Sequence, residues 1–293
     1  MFKLSVFTDE VTQDLDHAIE VAKEYDCEGL EIRSVWDTGV HKFSKQQVQE
    51  IKKKTGDAGL AVCCLGSPFY KCEIDKPQEI QEHHEFLRRC CETAHALGTD
   101  LIRGFTFWRR GSHEDVWQRI VDNFVIPIQI LEEGDCRLVI ENEASTYLGT
   151  GGLTARFLDE IGHPRVAGCW DPCNVVFDFD VEETPYPDGY EALRKHLVHM
   201  HLKDGERTGD KEARCTCVGS GIIDYPGQFR ALLEDGYDGY ISLETHWRPV
   251  DLTEEEMNRP GGASYSKDGE YASRRCLESI HQMIEEAKRA VGL

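Results

Sequence analysis

The chain has 293 residues, 40% of them hydrophobic, with 33 lysines and arginines against 54 aspartates and glutamates and a formal net charge of −21. Length and apolar content suit one large globular domain, and the acidic balance argues against a nucleic-acid partner, whose binding relies on Lys and Arg displacing counterions. No apolar run approaches the roughly 18 residues that span a bilayer, so no membrane partner is expected.

The start, MFKLSVFTDEV, turns acidic at Asp9 and Glu10, too early for a secretory leader. The twelve cysteines include adjacent pairs and no C-x-x-C spacing, against both a disulfide framework and structural zinc. Reduced, mostly buried thiols and a cytoplasmic location are expected.

Short apolar runs then recur, each followed by an amphipathic stretch. Strands are expected at 3–7, 29–33, 60–65, 100–105, 137–141, 166–170, 196–202 and 240–244. Helices are expected at 14–25, 44–59, 77–98, 113–134, 152–162, 189–197, 225–236 and 271–291, with apolar residues spaced by three and four as on a helix lying against a sheet. Gly59, Gly98, Gly134, Gly162 and Gly236 stand where left-handed caps usually end helices. Pro127 is expected to kink or split the fourth helix. Eight such units over residues 1–293 predict an α/β protein, a single (β/α)8 TIM barrel in one domain. An open doubly wound sheet would want a glycine-rich phosphate loop after the first strand, where FTDEVTQD stands instead.

A barrel of this kind builds its active site at the C-terminal strand ends. In chain order the exits offer Asp9 and Glu10; Arg33; Ser67; Arg103; Glu141, Asn142 and Glu143; Asp171 and Asn174; His201 and Lys203; Glu244 and His246. Glu141, Asp171, His201 and Glu244 come from four consecutive strands. Three carboxylates converging without a counter-ion would repel one another, and a divalent cation relieves this. Carboxylate oxygens with one imidazole nitrogen suit Mn²⁺, Mg²⁺, Co²⁺ or Zn²⁺. His199, two residues before His201 on the same strand face, is expected to lie deeper as a core or supporting residue. Arg33 and Arg103 are open to two readings, a phosphate or hydroxyl contact and a salt bridge with Asp9, Glu10 or Glu31. Lys203 and Asp204 are open to substrate contact or support.

The stretches LVIENE (138–143), CWDPCNV (169–175), HMHLKDGER (199–207), GSGIIDY (219–225) and GYDGYISLE (236–244) resemble the xylose-isomerase-like TIM-barrel superfamily of sugar isomerases and epimerases. The likeness is to the branch with ketose 3-epimerases, hydroxypyruvate isomerase and inosose dehydratase. It implies a metal held by Glu141, Asp171, His201 and Glu244, with manganese first among the candidates. It implies that Glu141 and Glu244 exchange a proton at the carbon beside a keto-sugar carbonyl, through a metal-stabilised enediolate. Arg207 matches a substrate-binding arginine, and Asn174 stands where the epimerases carry a histidine. Asn174, Lys203 and Arg103 complete the expected substrate contacts, and a homodimer or tetramer is implied. The alternative reaction on the same site is elimination, as in an inosose-type dehydratase or on a 3-keto-glycoside. Phe69 or Tyr70 is expected to wall the pocket, and the long segment 205–217 to fold over it. The loop 248–271 is open to a lid, a dimer contact or a solvated excursion.

Overall fold

Apolar strands too short to stand alone close on one another here. In the computed structural model, which describes residues 1–249 and 266–293, eight parallel strands form a closed barrel. They are β1 (Lys3–Phe7), β2 (Gly29–Ile32), β3 (Ala61–Phe69) and β4 (Leu101–Gly104), then β5 (Arg137–Glu141), β6 (Val166–Trp170), β7 (Leu197–Leu202) and β8 (Tyr240–Leu243). Neighbours in the chain are neighbours in the barrel, and β8 closes on β1 with Lys3 opposite Tyr240 and Val6 opposite Leu243. The expected single (β/α)8 TIM barrel is what forms. The part of the 248–271 loop from 250 to 265 lies outside the described residues, and with it the reading of that loop.

Strand alternation aims the site. Leu101, Val139 and Cys169 belong to a small buried cluster, and successive side chains on a strand take opposite faces. Two residues further on, Arg103, Glu141 and Asp171 therefore leave on the same face at the strands' C-terminal ends. The opposite positions join the main core with the helices. The last helix, Gly269–Val291, shows the fit: Cys276, Leu277, Ile280, Met283, Ile284 and Ala287 are buried at helical spacing. Burying each such Leu or Ile stabilises by about 1.5–3 kcal/mol.

Three local expectations change. The fourth helix is two, Trp117–Asp122 and Val125–Glu133, but they part at Asn123 and Phe124. Pro127 sits in the first turn of the second, where a missing N–H costs nothing. Gly134 is not left-handed (φ −87°), and Asp135 takes the positive φ of 49° instead. Gly134 is required by close approach, since a Cβ there would lie 2.7 Å from Cys91 Cβ. Phe69 and Tyr70 do not wall the cavity. They turn inward, with Tyr70 stacked between Phe69 at 4.0 Å and Phe107 at 4.2 Å, and only Gly66, Pro68 and Lys71 of that stretch face the cavity.

Behind Tyr70 an acid-sensitive contact is expected. His83 Nδ1 accepts the Tyr70 N–H at 2.9 Å, and burial, with His41 nearby, pushes His83 down to about 4. The unfolded chain takes this proton near pH 6.5. It therefore binds more protons than the folded state between pH 6.5 and 4, and stability falls as pH drops through that window. Between pH 7 and pH 5 His83 should cost about 2 kcal/mol. Urea midpoints at the two pH values are expected to differ by less in His83→Gln than in the native protein; an equal difference would refute this.

Candidate active site at the barrel mouth

The expected ligands meet. One donor atom from each of Glu141, Asp171, His201 and Glu244 lies within 4.8 Å of the others, and all four residues are buried. Each is set by a local device. Asp171 is the N-cap of the helix Pro172–Phe177, whose proline fills a position suited to it. Its Oδ1 accepts from Cys173 N at 2.9 Å and Asn174 N at 3.2 Å, which leaves Oδ2 for the cluster. Asn142 clamps Asp171 through both backbone groups, accepting its N–H and donating to its carbonyl, each at 2.8 Å.

His201 Nε2 lies 3.3 Å from Glu31 Oε1, and the other Glu31 oxygen meets His199 Nε2 at 2.7 Å. His199 is thus a buried support, as expected. His201 Nδ1 faces the carboxylates, 3.4 Å from Glu141 Oε1 and 4.0 Å from Glu244 Oε2. Burial raises the Glu141 carboxyl, but His201 and Arg103 outweigh it and hold the group below the usual range. Burial likewise raises Glu244, yet Lys203, His246 and Arg33 hold it well below. Asp171 behaves otherwise: burial lifts it to about 7 against the pull of Lys203.

The residues fit a divalent cation. His201 Nδ1 and Asp171 Oδ2 are buried with no hydrogen-bond partner among the described residues, and buried polar atoms seldom stay so unless an ion or water completes them. Lys203 Nζ does approach Asp171 Oδ2 at 2.7 Å, but off the direction a hydrogen bond needs. The donor set of carboxylate oxygens and one imidazole suits Mn²⁺, Mg²⁺, Co²⁺ or Zn²⁺.

Three of the four expected substrate contacts reach the cavity over this cluster: Arg103, Asn174 and Lys203. Arg103 Nη1 bonds Glu141 Oε2 at 2.6 Å, and Asn174 Nδ2 bonds Glu141 Oε1 at 2.9 Å. Lys203 Nζ also meets Glu244 Oε2 at 3.2 Å, its backbone held by Tyr225, whose hydroxyl accepts the Lys203 N–H and donates to its carbonyl. Arg207 does not line the cavity. Its guanidinium donates to the Val176 and Asp178 carbonyls at 3.2 and 3.0 Å. That pins the antiparallel hairpin Asp204–Gly209/Glu212–Thr216 against the helix Pro172–Phe177. The hairpin does fold over the site, contributing Lys211, Glu212, Ala213 and Cys215 to the cavity wall. Asp204 is a support, accepting N–H groups from Gly205, Gly219, Gly221 and Ile223.

Arg33 takes the salt-bridge reading, reaching Asp9 at 2.8 Å, Glu10 at 2.6 Å and Glu244 at 2.8 Å. Glu31 and Asn142 are the residues sequence reasoning undervalued. A carboxylate inside the apolar run GLEI, on the face that later carries Arg33, was the available signal for Glu31.

Fold and site together define a β/α-barrel protein with a carboxylate–imidazole cluster at the strand ends that could hold a cation. The chain belongs to the xylose isomerase-like TIM barrel family, whose model matches residues 19–268. It is 27% identical over 155 residues to inosose dehydratase of Bacillus licheniformis, a match covering 46% of this chain and 49% of that one. The chain spans about half the length of the curated relatives it matches. Among solved structures, it resembles a xylose isomerase domain protein from Planctomyces limnophilus, with TM-score 0.75, 13% identity and 99% of each chain covered. It also resembles D-psicose 3-epimerase from Clostridium cellulolyticum H10 solved with D-tagatose, with TM-score 0.72, 17% identity and 97% and 99% of the two chains covered. At such identities the structural likeness speaks for the fold alone.

Proposed function

We propose that the chain is a divalent-metal-dependent isomerase or epimerase of a keto-sugar, with Glu141 and Glu244 exchanging the proton. The observation that carries this is the meeting of four candidate ligand atoms within 4.8 Å, two of them buried with no hydrogen-bond partner among the described residues. Manganese is the proposed ion, with magnesium, cobalt and zinc as alternatives, and a cytoplasmic homodimer or tetramer the proposed form.

A bound cation supplies Lewis acidity for the sugar carbonyl and an adjacent hydroxyl. The protein's own groups do the rest. Both glutamates are ionised at neutral pH for the reasons given above, so either can take a proton from the carbon beside the carbonyl. We assign that step to Glu141. Arg103 and Asn174 each hold one of its oxygens, which fixes the carboxylate plane. Glu244, held by Arg33 and Lys203, must first take up a proton, for which the Lys203 ammonium at 3.2 Å is the neighbouring source. It then delivers that proton from the other side or to the neighbouring carbon, while Glu141 releases its own to solvent. Return to the opposite face gives an epimer, and return to the neighbour gives an aldose–ketose pair. Asn174 offers a hydroxyl both a donor and an acceptor.

One observation favours a second reading, elimination from the same carbanion. The Lys203 ammonium sits 3.2 Å from Glu244 Oε2, a proton source beside the second carboxylate that could meet a departing hydroxyl or glycosyl oxygen. The inosose dehydratase relatives agree with it.

Proton NMR in D2O on the manganese-loaded protein, with a magnesium control, tests both readings on ketohexoses, inososes and 3-keto-glycosides. Deuterium beside the carbonyl with a new isomer is the expected result. Loss of water or of an aglycone transfers the assignment to a lyase, and no exchange with any member refutes both.

A further inference from the structure

The cavity above the cluster, about 550 Å³, adjoins a second of about 530 Å³, and the two share Ala144, Ser145, Phe177, Phe179 and Lys211 in their walls. They form one cleft in two parts. The first cavity alone is of a size that holds a drug-sized ligand, more than a free hexose fills. The parts differ in chemistry. The inner floor is ionic, with Arg33, Arg103, Lys203 and Glu244, whereas the outer part adds Trp108 to the two phenylalanines, with Arg109, Arg110, Asp180 and Lys211 around them.

The aromatic wall is held in place by the chain. Asp178 is extended (φ −86°, ψ 108°), so Phe177 and Phe179 leave on one side while the Asp178 carboxylate turns away to Arg109 at 2.6 Å. The Arg207 guanidinium lies 5.3 Å from the Phe179 ring centre, so the arginine that misses the substrate cavity braces its outer wall. The Trp108 backbone bridges to Thr146, and its backbone N–H donates to the Cys72 carbonyl at 3.0 Å.

Four polar residues of the outer part already have partners within the protein. Arg109 binds Asp178 and Asp180, Arg110 binds Glu73, and the Ser145 hydroxyl donates to Glu143. A second sugar would need hydrogen-bond partners for its hydroxyls, and burying them unmet is costly. A flat aromatic ring needs only the apolar faces, and the Lys211 ammonium at the junction suits a phenolic oxygen.

We infer that the substrate is a keto-sugar bearing a planar aromatic group. Its sugar enters the inner part and its ring rests on Trp108, Phe177 and Phe179. This rests on the keto-sugar reading above and adds the substrate class. Remote contacts of this kind position the reacting carbon by binding energy gained away from it.

The test is calorimetric titration of the manganese-loaded protein with phenyl 3-keto-β-D-glucoside, methyl 3-keto-β-D-glucoside and 3-ketocellobiose, with deuterium exchange followed in parallel. The phenyl probe is expected to bind at least about tenfold more tightly than the methyl one. That ratio should fall towards one in Trp108→Ala and in the milder Phe179→Leu, which keeps apolar volume and removes the ring face. Equal affinities in the native protein, a ratio that survives both variants, or a disaccharide that matches the phenyl probe would each overturn the inference. Exchange without a phenyl preference refutes only the aromatic group, and a preference without exchange refutes only the isomerase reading.

Discussion

Glu244→Gln is expected to lower turnover of a keto-sugar at least about a thousandfold, and Glu141→Gln by a similar factor, within the range that loss of a positioned acid or base produces. The amide keeps the shape and the hydrogen-bond acceptor of each side chain but removes its basicity and its charge. The two variants should differ in detail. Glu141 is pinned by Arg103 and Asn174, and Glu244 by Arg33 and Lys203. Neutralising Glu244 therefore leaves two cations facing an amide, and neutralising Glu141 leaves one. Single-turnover exchange in D2O separates the roles. If Glu141 removes the proton, Glu141→Gln loses all exchange, whereas Glu244→Gln retains washout of the substrate's own proton without forming the isomer. Either variant working within tenfold of the native protein would remove that glutamate from the chemistry.

The barrel was legible because it repeats: a period of two in each strand, a helical period after it, and the same alternation eight times. Its ends were legible for the same reason, since parity along β5, β6 and β7 aims Glu141, Asp171 and His201 in one direction. What parity cannot report is where a side chain goes after it leaves a strand. Arg207 lies on the exposed part of a hairpin, and two carbonyls near the end of a neighbouring helix capture it, a contact between segments some thirty residues apart. Phe69 and Tyr70 follow the same logic: β3 runs to Phe69, beyond the expected 65, and carries both rings into the core. The outer aromatic wall draws on Trp108 in the loop after β4 and on Phe177 and Phe179 at and just beyond the end of the helix Pro172–Phe177, so no single stretch of sequence announced it.

The residue whose removal should do most damage per atom is Glu31. It is fully buried, and although burial raises its carboxyl, His199 and His201 hold it well below the usual range. Its two oxygens lie 2.7 Å from His199 Nε2 and 3.3 Å from His201 Nε2. As a carboxylate that can only accept, it favours the His201 tautomer with the proton on Nε2, which would free Nδ1 for a cation between Glu141 and Glu244. In Glu31→Gln one oxygen becomes an NH2 that can only donate. If it faces His201, the ring must accept at Nε2 and carry its proton on Nδ1, the nitrogen needed for the cation. If the amide turns over, His199 takes the wrong tautomer instead, and two imidazoles lose the charge between them. Cation affinity is therefore expected to fall about 10–100-fold, as when the partner of a ligating histidine is removed. Breaking a buried charge pair from one side should also cost about 3 kcal/mol of stability. Manganese titration and urea unfolding of the same variant read the two effects separately. A variant that unfolds earlier yet binds manganese as tightly as the native protein would make Glu31 a structural residue alone, and would mean that His201 does not hold the cation through Nδ1.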